Sequence, residues 1–243
     1  MTDKPSPGYD FSEFGPVTTV PLTKIQTLTG KFMSRNWTQI PHVTHHDEAD
    51  VSDLETARVG LPSEARPSLL ALTAKAVAQT LAEFPKFNAS LDVERGELIF
   101  KAYVNLGFAI DTPNGLVVGV VRNCDGLSPL KIGRSLAALA AKAREKGLSF
   151  PEMSGGGFTL SSLGARGGVA FSPIINAPEV AILGLSRLLE RPMRGPADEV
   201  LWRTILPLSL SYDHRVINGA DAANFSTRLR QRLADPASLI TSA

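Results

Sequence analysis

Residues 206–225 read LPLSLSYDHRVINGADAANF, and this stretch decides the interpretation of the whole chain. Its beginning alternates between leucine and smaller or polar residues, a pattern that is typical of a β-strand. The strand would end in a short loop that contains His214, and a helix would begin at Gly219. Loops held between rigid elements often carry catalytic residues, and histidine exchanges protons near neutral pH. His214 is therefore the first candidate for a general base.

The neighbourhood of His214 strengthens this interpretation. A lone histidine at a strand end often has only a structural role, so its position alone does not identify a catalyst. Asn218 follows four residues later, directly before Gly219. In a tight loop it could orient the imidazole, which is a recurrent device for catalytic bases, or it could fix the geometry of the loop. The sequence leaves both roles of Asn218 open.

A second candidate lies in SGGGFTLSSLGARGG, residues 154–168, where Ser161 and Ser162 end a short predicted strand. The glycines are not followed by the lysine of a phosphate-binding loop, and the serines do not match a GxSxG nucleophile elbow. A serine at the mouth of a site can still donate a hydrogen bond to an oxyanion. The alternative is that these serines and glycines only form a turn.

Composition excludes several classes of protein. The chain has 243 residues, 43% of them hydrophobic and 20% charged, which suits one large or two small soluble globular domains. Its net charge of +1 favours neither nucleic acid nor a membrane surface as a partner. The single cysteine, Cys124, allows no disulfide framework and indicates a reducing compartment. The start MTDKPSPGYD resembles no signal peptide, and no apolar run could span a membrane, so we expect a cytoplasmic location.

The pattern of elements predicts an α/β fold. Residues 1–16 contain three prolines and are predicted to be a linker or tail, followed by one folded unit at residues 17–243. The sequence LIFKAYVNLGFAI-DTPNG-LVVGVVR, residues 98–122, predicts a β-hairpin. A mixture of hairpins and long helices favours a layered domain with an antiparallel or mixed sheet. Helices are predicted near residues 22–37, 67–84, 128–147 and from 219, and strands at residues 40–49, 158–161, 180–186 and 200–212.

Five segments in a fixed order resemble one known family. HRVING, residues 214–219, resembles the HxxxDG signature of the chloramphenicol acetyltransferase superfamily. DHRVINGA in particular looks like the catalytic domain of the dihydrolipoyl acyltransferases of 2-oxo acid dehydrogenase complexes. The likeness covers about residues 17–240. The other segments are FNASLD at 87–92, GFAIDTPNGLV at 107–117, FTLSSLGARGG at 158–168 and INAPEVAILGLSR at 175–187.

The resemblance implies both the fold and the chemistry. It implies a two-layer chloramphenicol-acetyltransferase-like α/β fold, with a mixed sheet packed against helices, and a homotrimer with an active site at each subunit interface. The implied reaction is acetyl transfer between dihydrolipoamide and coenzyme A, which enter a channel from opposite ends. His214 would be the general base, and Ser161 of the neighbouring subunit would stabilise the oxyanion. SSLG looks most like the acetyl-transferring branch of the family.

The chain departs from the family pattern in two respects. Most relatives have aspartate where this chain has Asn218, so we expect a neutral amide that holds the loop by hydrogen bonds instead of an ion pair with Arg35. Family members also carry a lipoyl domain and a peripheral-subunit-binding domain upstream, and this sequence contains neither. The sequence would then be an excised core or a stand-alone relative, served by lipoyl domains of other chains. Family trimers assemble into hollow cages, and the sequence does not decide whether this one does.

Other interpretations are weaker. His42, His45, His46 and Asp47 could be metal ligands, but successive strand residues point to opposite faces and no second cluster completes a site. We therefore predict no metal. Cys124 is expected to be an ordinary buried or half-buried thiol. The rival functions are an acetyltransferase that acts on a hydroxylated small molecule, and a structural core protein with little catalysis. Asp213 and Arg215 are expected to fix the loop.

Overall fold

The computed structural model describes residues 10–164 and 167–240 of the chain. In this part the chain forms seven α-helices, nine strands and three short 3-10 helices, which are Phe11–Phe14, Ser63–Ala65 and Pro85–Asn88. The helices are α1 (Lys24–Gln39), α2 (Ser52–Val59), α3 (Leu69–Glu83), α4 (Pro129–Glu145), α5 (Phe150–Met153), α6 (Gly219–Leu233) and α7 (Pro236–Ile240). The strands are β1 (His42–Asp50), β2 (Ala89–Asp92), β3 (Glu97–Phe100), β4 (Leu106–Thr112), β5 (Gly115–Val121), β6 (Phe158–Ser162), β7 (Ala181–Leu185), β8 (Leu189–Arg194) and β9 (Val200–Asp213).

One mixed sheet organises the domain. Its strand order is β1-β9-β7-β6-β4-β5, and β8 pairs with the first half of β9. The β4–β6 and β6–β7 pairs are parallel, and the other pairs are antiparallel. Helices α3, α4 and α6 pack together against one face of this sheet. The predicted two-layer α/β architecture with a mixed sheet is therefore confirmed.

The alternation in β9 separates the two faces of the sheet. Because successive side chains of a strand point to opposite faces, Leu208, Leu210 and Tyr212 join the core beneath the helices. Ser209 and Ser211 lie on the other face, which we call the outer face. The leucines are at most 2% exposed, and each such side chain contributes about 2 kcal/mol through its burial.

Aromatic packing attaches α6 to the sheet. The ring of Phe225 lies 4.3 Å from that of Phe87 and 5.9 Å from that of Phe158, measured between ring centroids. All three side chains are fully buried. Stacked aromatic pairs add about 0.5–1.5 kcal/mol to the gain from burial. This contact determines where the N-terminus of α6, and hence the loop after β9, lies relative to the strands.

Two predictions about local structure were wrong. The run at residues 98–110 is not one strand but β3 and β4, which belong to different sheets, since β3 pairs only with β2. The Asn88 side chain donates hydrogen bonds to the carbonyls of Lys101 and Tyr103, at 3.1 and 2.8 Å, and draws the intervening chain out of the ladder. The helix predicted to begin at residue 67 begins only at Leu69, because Ser68 is the N-cap residue.

Other predictions were incomplete or stay untested. Strands β2 and β8 and helices α2, α5 and α7 were not expected from the sequence. The boundary of the folded unit at residue 17 stays a prediction. None of the helices in the described part of the chain combines the length and apolar character needed to cross a bilayer.

Candidate active site

His214 lies at the end of β9, where the chain leaves the sheet. Its backbone N–H donates to the carbonyl oxygen of Pro41 at 3.0 Å, directly before β1 begins. The imidazole is exposed, and its ring centroid lies 5.9 Å from that of Tyr212. The backbone of His214 is thus tied to a neighbouring strand while the ring remains open to a reaction partner.

An ion pair between the two sequence neighbours of His214, Asp213 and Arg215, shapes the loop. Asp213 is 2% exposed. The Arg215 guanidinium donates to both of its carboxylate oxygens, from Nε to Oδ1 at 2.9 Å and from Nη2 to Oδ2 at 2.6 Å. The Asp213 carbonyl accepts hydrogen bonds from the N–H groups of Val216 and Ile217. The bond to Asp213 raises the pKa of Arg215, so both residues act as the expected loop-fixing pair.

Asn218 shapes the other end of the loop. Its side-chain Oδ1 accepts a hydrogen bond from the backbone N–H of Asp221 at 2.8 Å, which makes Asn218 the N-cap residue of α6. Within residues 10–164 and 167–240, no hydrogen bond joins Asn218 to His214. Of the two roles that the sequence left open for Asn218, the structure therefore contains the geometric one. Replacing such a cap typically costs about 1 kcal/mol.

Ser161 and Ser162 end strand β6. Ser161 is half-buried, and it lies on the outer face because Phe158 and Leu160 point into the core. Ser162 is exposed, and its Oγ accepts a hydrogen bond from the Gly164 N–H at 3.3 Å. The two adjacent hydroxyls therefore point to opposite sides of the sheet, so only one of them can serve a site on the outer face.

Strand register separates Ser161 from His214 within one chain. Ser161 is level with Gly184 of β7, and Gly184 is level with Ser209 of β9. His214 lies five residues beyond Ser209 and two strands away from β6. At about 3.3 Å per residue and about 4.8 Å per strand, the two Cα atoms are roughly 19 Å apart. The two side chains of a single subunit cannot contact the same reacting carbonyl.

A cavity of about 500 Å³ opens beside the end of β6. Its walls are mainly apolar, with Ser162 and Arg187 contributing polar groups, and His214 is not part of them. Pockets of this size and character suit small organic ligands. The remaining wall residues are Leu69, Leu70, Thr73, Gly164, Leu185, Ser186, Leu188 and Leu206.

His42 and His46 of β1 form side-chain hydrogen bonds, and His45 lies on the other face of the strand. Both ring nitrogens of His42 are engaged, Nδ1 with the Ile40 carbonyl and Nε2 with the Ile175 N–H. The Nδ1 atom of His46 lies 3.0 Å from the Ser209 hydroxyl, while His45 pairs with Leu210 on the opposite face. In the part of the chain that the structure describes, no group of three potential ligands is placed to hold a metal ion.

Cys124 is a structural thiol. Its Sγ donates to the Val121 carbonyl at 3.3 Å, and its side chain is fully buried. Burial raises the pKa of the Cys124 thiol to about 11. Because the nucleophile is the thiolate, this cysteine is not activated for chemistry near neutral pH.

Glu179 is a buried titratable group that the sequence reasoning missed. Burial raises the pKa of its carboxyl to about 7, although Asn176 donates to its Oε1 at 3.1 Å. The backbone of Gly156 approaches closely, since a Cβ there would lie 2.8 Å from Oε1. The signal was present in the quoted segment INAPEVAILGLSR, where the glutamate lies at the edge of an apolar run.

Comparisons with known proteins agree with this geometry. Residues 14–241 match the family model of the 2-oxoacid dehydrogenases acyltransferase (catalytic domain). The chain is 47% identical over 236 residues to the dihydrolipoyllysine-residue acetyltransferase component of the pyruvate dehydrogenase complex of Cupriavidus necator. That alignment covers 95% of this chain and 42% of the relative, so the chain spans less than half of that protein's length.

Solved structures provide a second comparison. The dihydrolipoamide acetyltransferase of Azotobacter vinelandii superposes with a TM-score of 0.93 at 45% identity and covers 98% of this chain and 99% of its own. It was studied for the role of a serine, a histidine and an asparagine in its catalytic mechanism, and the asparagine lies four residues after the histidine.

Two further structures extend this comparison. The cubic core of the pyruvate dehydrogenase multienzyme complex gives the same TM-score, identity and coverage. Chloramphenicol acetyltransferase, with a TM-score of 0.56 at 15% identity over 83% of this chain and 94% of its own, shares the fold.

Proposed function

The chain belongs to the acyltransferase family of the 2-oxoacid dehydrogenases, and on this premise we propose that it transfers an acetyl group between dihydrolipoamide and coenzyme A. The observation that carries the proposal is the loop of His214. An exposed imidazole is presented there on a backbone that is held by Pro41, by the buried Asp213 and by the Asn218 cap. The same loop contains the segment that resembles the family signature.

The reaction is a thioester exchange. A thiol has a pKa near 8.5 and attacks as the thiolate, so the neutral imidazole of His214 accepts the thiol proton as sulfur bonds to the thioester carbonyl carbon. The carbonyl oxygen becomes an oxyanion, which accepts a hydrogen bond from Ser161 Oγ. Collapse of this intermediate breaks the other C–S bond, and the imidazolium returns the proton to the leaving thiol. Coenzyme A and dihydrolipoamide are the two substrates, and the step consumes no metal or redox equivalent.

The active site is shared between subunits of a homotrimer. The separation of roughly 19 Å within one chain follows from strand spacing, so His214 of one subunit meets Ser161 of another. The Azotobacter structure, with its serine, histidine and asparagine, supports this assignment of residues. The cubic core of a related complex supports assembly into a larger cage. The partners are then lipoyl domains and the other components of a 2-oxo acid dehydrogenase complex in the cytoplasm.

Replacing His214 tests the proposal. In an assay with dihydrolipoamide and acetyl-CoA, His214→Ala should lower kcat by about 10² to 10⁴. A near-normal rate in this variant would refute the role of His214. The cubic core among the relatives also favours a structural role as the second candidate. That candidate requires wild-type protein that forms cages, observed by light scattering, without acetyl transfer.

A further inference from the structure

His42 connects the His214 loop to the segment that precedes β7. Its Nε2 atom accepts a hydrogen bond from the backbone N–H of Ile175 at 3.0 Å, and its Nδ1 atom lies 2.8 Å from the carbonyl oxygen of Ile40. Since a backbone N–H can only donate, Nε2 is the acceptor and carries no proton. Nδ1 then carries the proton and donates it to the Ile40 carbonyl. The two contacts select a neutral imidazole in a single tautomer.

The Ile175 peptide is held by side chains on both sides. Its N–H is bound by His42, and its carbonyl accepts a hydrogen bond from Asn36 Nδ2 at 2.9 Å. Asn36 is 2% exposed and Ile175 is fully buried, where it packs with Ile40 and Ile182. The Ile175 peptide is therefore largely shielded from water, and a buried polar group without a partner is costly.

The same imidazole determines the geometry around Pro41. Pro41 lies between Ile40, whose carbonyl binds the ring of His42, and His42 itself. The Pro41 carbonyl is the group that accepts the hydrogen bond from the His214 N–H. His42 is also level with Asp213 in the register of β1 and β9. The ring of His42 therefore restrains the turn that anchors the backbone of His214.

We propose that His42 is a positioning residue for His214, acting as a neutral imidazole that accepts the Ile175 N–H. This inference rests on the proposed function, because it assigns to His42 the placement of the proposed base. Loss of the acceptor leaves the buried Ile175 N–H without a partner, and the segment then moves away from the Ile40–His42 turn. The displaced turn carries the Pro41 carbonyl, and with it His214, out of its productive position.

Two conservative variants of His42 test the hydrogen-bond acceptor at Nε2 separately from the rest of the imidazole ring. Glutamine can place its Oε1 near the position of Nε2 and can still accept from Ile175. Asparagine is shorter and reaches only the position of Nδ1. We expect His42→Asn to lower kcat about tenfold and to change KM less than about twofold, because a lost buried hydrogen bond is worth about a factor of ten. His42→Gln should retain kcat within about threefold of the wild-type value.

The dependence of the rate on pH provides a measurement that does not need the asparagine variant. Protonation of His42 at Nε2 would place two hydrogen-bond donors, Nε2–H and the Ile175 N–H, against each other. The wild-type kcat should therefore fall more steeply with decreasing pH than the kcat of His42→Gln. Several groups face His42 from the packed elements. From β9 it faces Asp213, whose charge is neutralised by Arg215. From α1 it faces the uncharged Trp37, whose ring centroid lies 5.4 Å from that of His42. The segment that precedes β7 also contains Glu179, whose pKa is raised to about 7 by burial and whose carboxylate binds Asn176.

The control and the outcomes separate this inference from the proposed function. His45→Gln removes an imidazole from the opposite face of β1 and should keep the wild-type kcat. The inference is overturned if both His42 variants match the wild type, if His42→Gln is as slow as His42→Asn, or if only KM changes. If His42→Asn fails to fold, identical pH profiles of wild type and His42→Gln overturn it. An active His214→Ala variant refutes the proposed function instead, whatever the His42 variants do.

Discussion

The two ends of the outer face differ in how complete they are within one chain. At the His214 end, Asp213 is buried against Arg215, and Asn218 caps α6. At the Ser161 end, the strand runs into exposed residues, and Leu163 is 39% exposed. The first end is held in place by contacts within its own chain, and it exposes one imidazole. The second end leaves apolar surface open, as expected of a surface that another subunit covers.

The largest effect is expected when His214 is removed from one chain and Ser161 from another. His214→Ala and Ser161→Ala should each lose about 10² or more of the wild-type kcat as pure trimers. Co-expressed with different tags and purified as mixed trimers, they should recover activity at about one third of the sites, since each mixed trimer has one interface at which an intact His214 meets an intact Ser161. The recovery is measured by acetyl transfer in the doubly tagged fraction.

The matched control for this experiment is Ser162→Ala. Ser162 lies on the opposite side of β6 from Ser161. Pure Ser162→Ala trimers should therefore keep most of the wild-type activity without being mixed with another variant. Mixed trimers that are no more active than the average of the two parents would show that His214 and Ser161 do not meet between chains.

A smaller effect is expected from the buried carboxyl of Glu179. Its pKa is raised from 4.5 to about 7 by burial, so the folded state binds a proton that the unfolded state releases. The contribution to stability is complete below about pH 4.5 and is lost as pH rises to about 7, which amounts to roughly 3 kcal/mol. Urea unfolding at pH 5 and pH 8 should therefore show a larger drop in unfolding free energy for the wild type than for Glu179→Gln. Equal drops in the two proteins would contradict a protonated Glu179.

Breaking the ion pair at the His214 end should have a somewhat smaller effect. Asp213→Asn leaves Arg215 without its carboxylate and should lower the free energy of unfolding by about 2 kcal/mol. The loss stays below that of a fully buried pair because the Arg215 side chain is 36% exposed. Glu48→Gln, which removes an exposed pair with Arg191, should change stability by less than about 0.5 kcal/mol. Similar losses in the two variants, measured by urea unfolding, would mean that Asp213 does not hold the loop.

The smallest effect is expected at the helix cap. Asn218→Ala removes the acceptor for the Asp221 N–H and should cost about 1 kcal/mol of stability. Asn218→Asp keeps a capping oxygen and should stay within a few tenths of a kcal/mol of the wild type. Thermal unfolding of both variants measures the difference. If the aspartate variant is destabilised as much as the alanine variant, the capping role is wrong.

Much of the architecture could be predicted because it depends on local patterns. The alternation of leucine and serine in β9 and the helical spacing after Ser68 both report which side chains can be buried together. The division of residues 98–110 between two sheets could not be predicted. It depends on hydrogen bonds from Asn88 to carbonyls more than ten residues away in sequence, and no local periodicity encodes such contacts.

The sequence by itself determined the family, the mixed α/β layers and the candidates His214, Ser161 and Asn218, because motifs and periodicity are properties of neighbouring residues. Only the tertiary structure decided that Asn218 is a cap, that His42 joins the Ile175 peptide to the turn beside His214, and that Glu179 is buried. Register across three strands placed His214 and Ser161 too far apart for one chain. Such relations join residues that are distant in sequence, and they exist only once the strands are paired and the surrounding water is excluded.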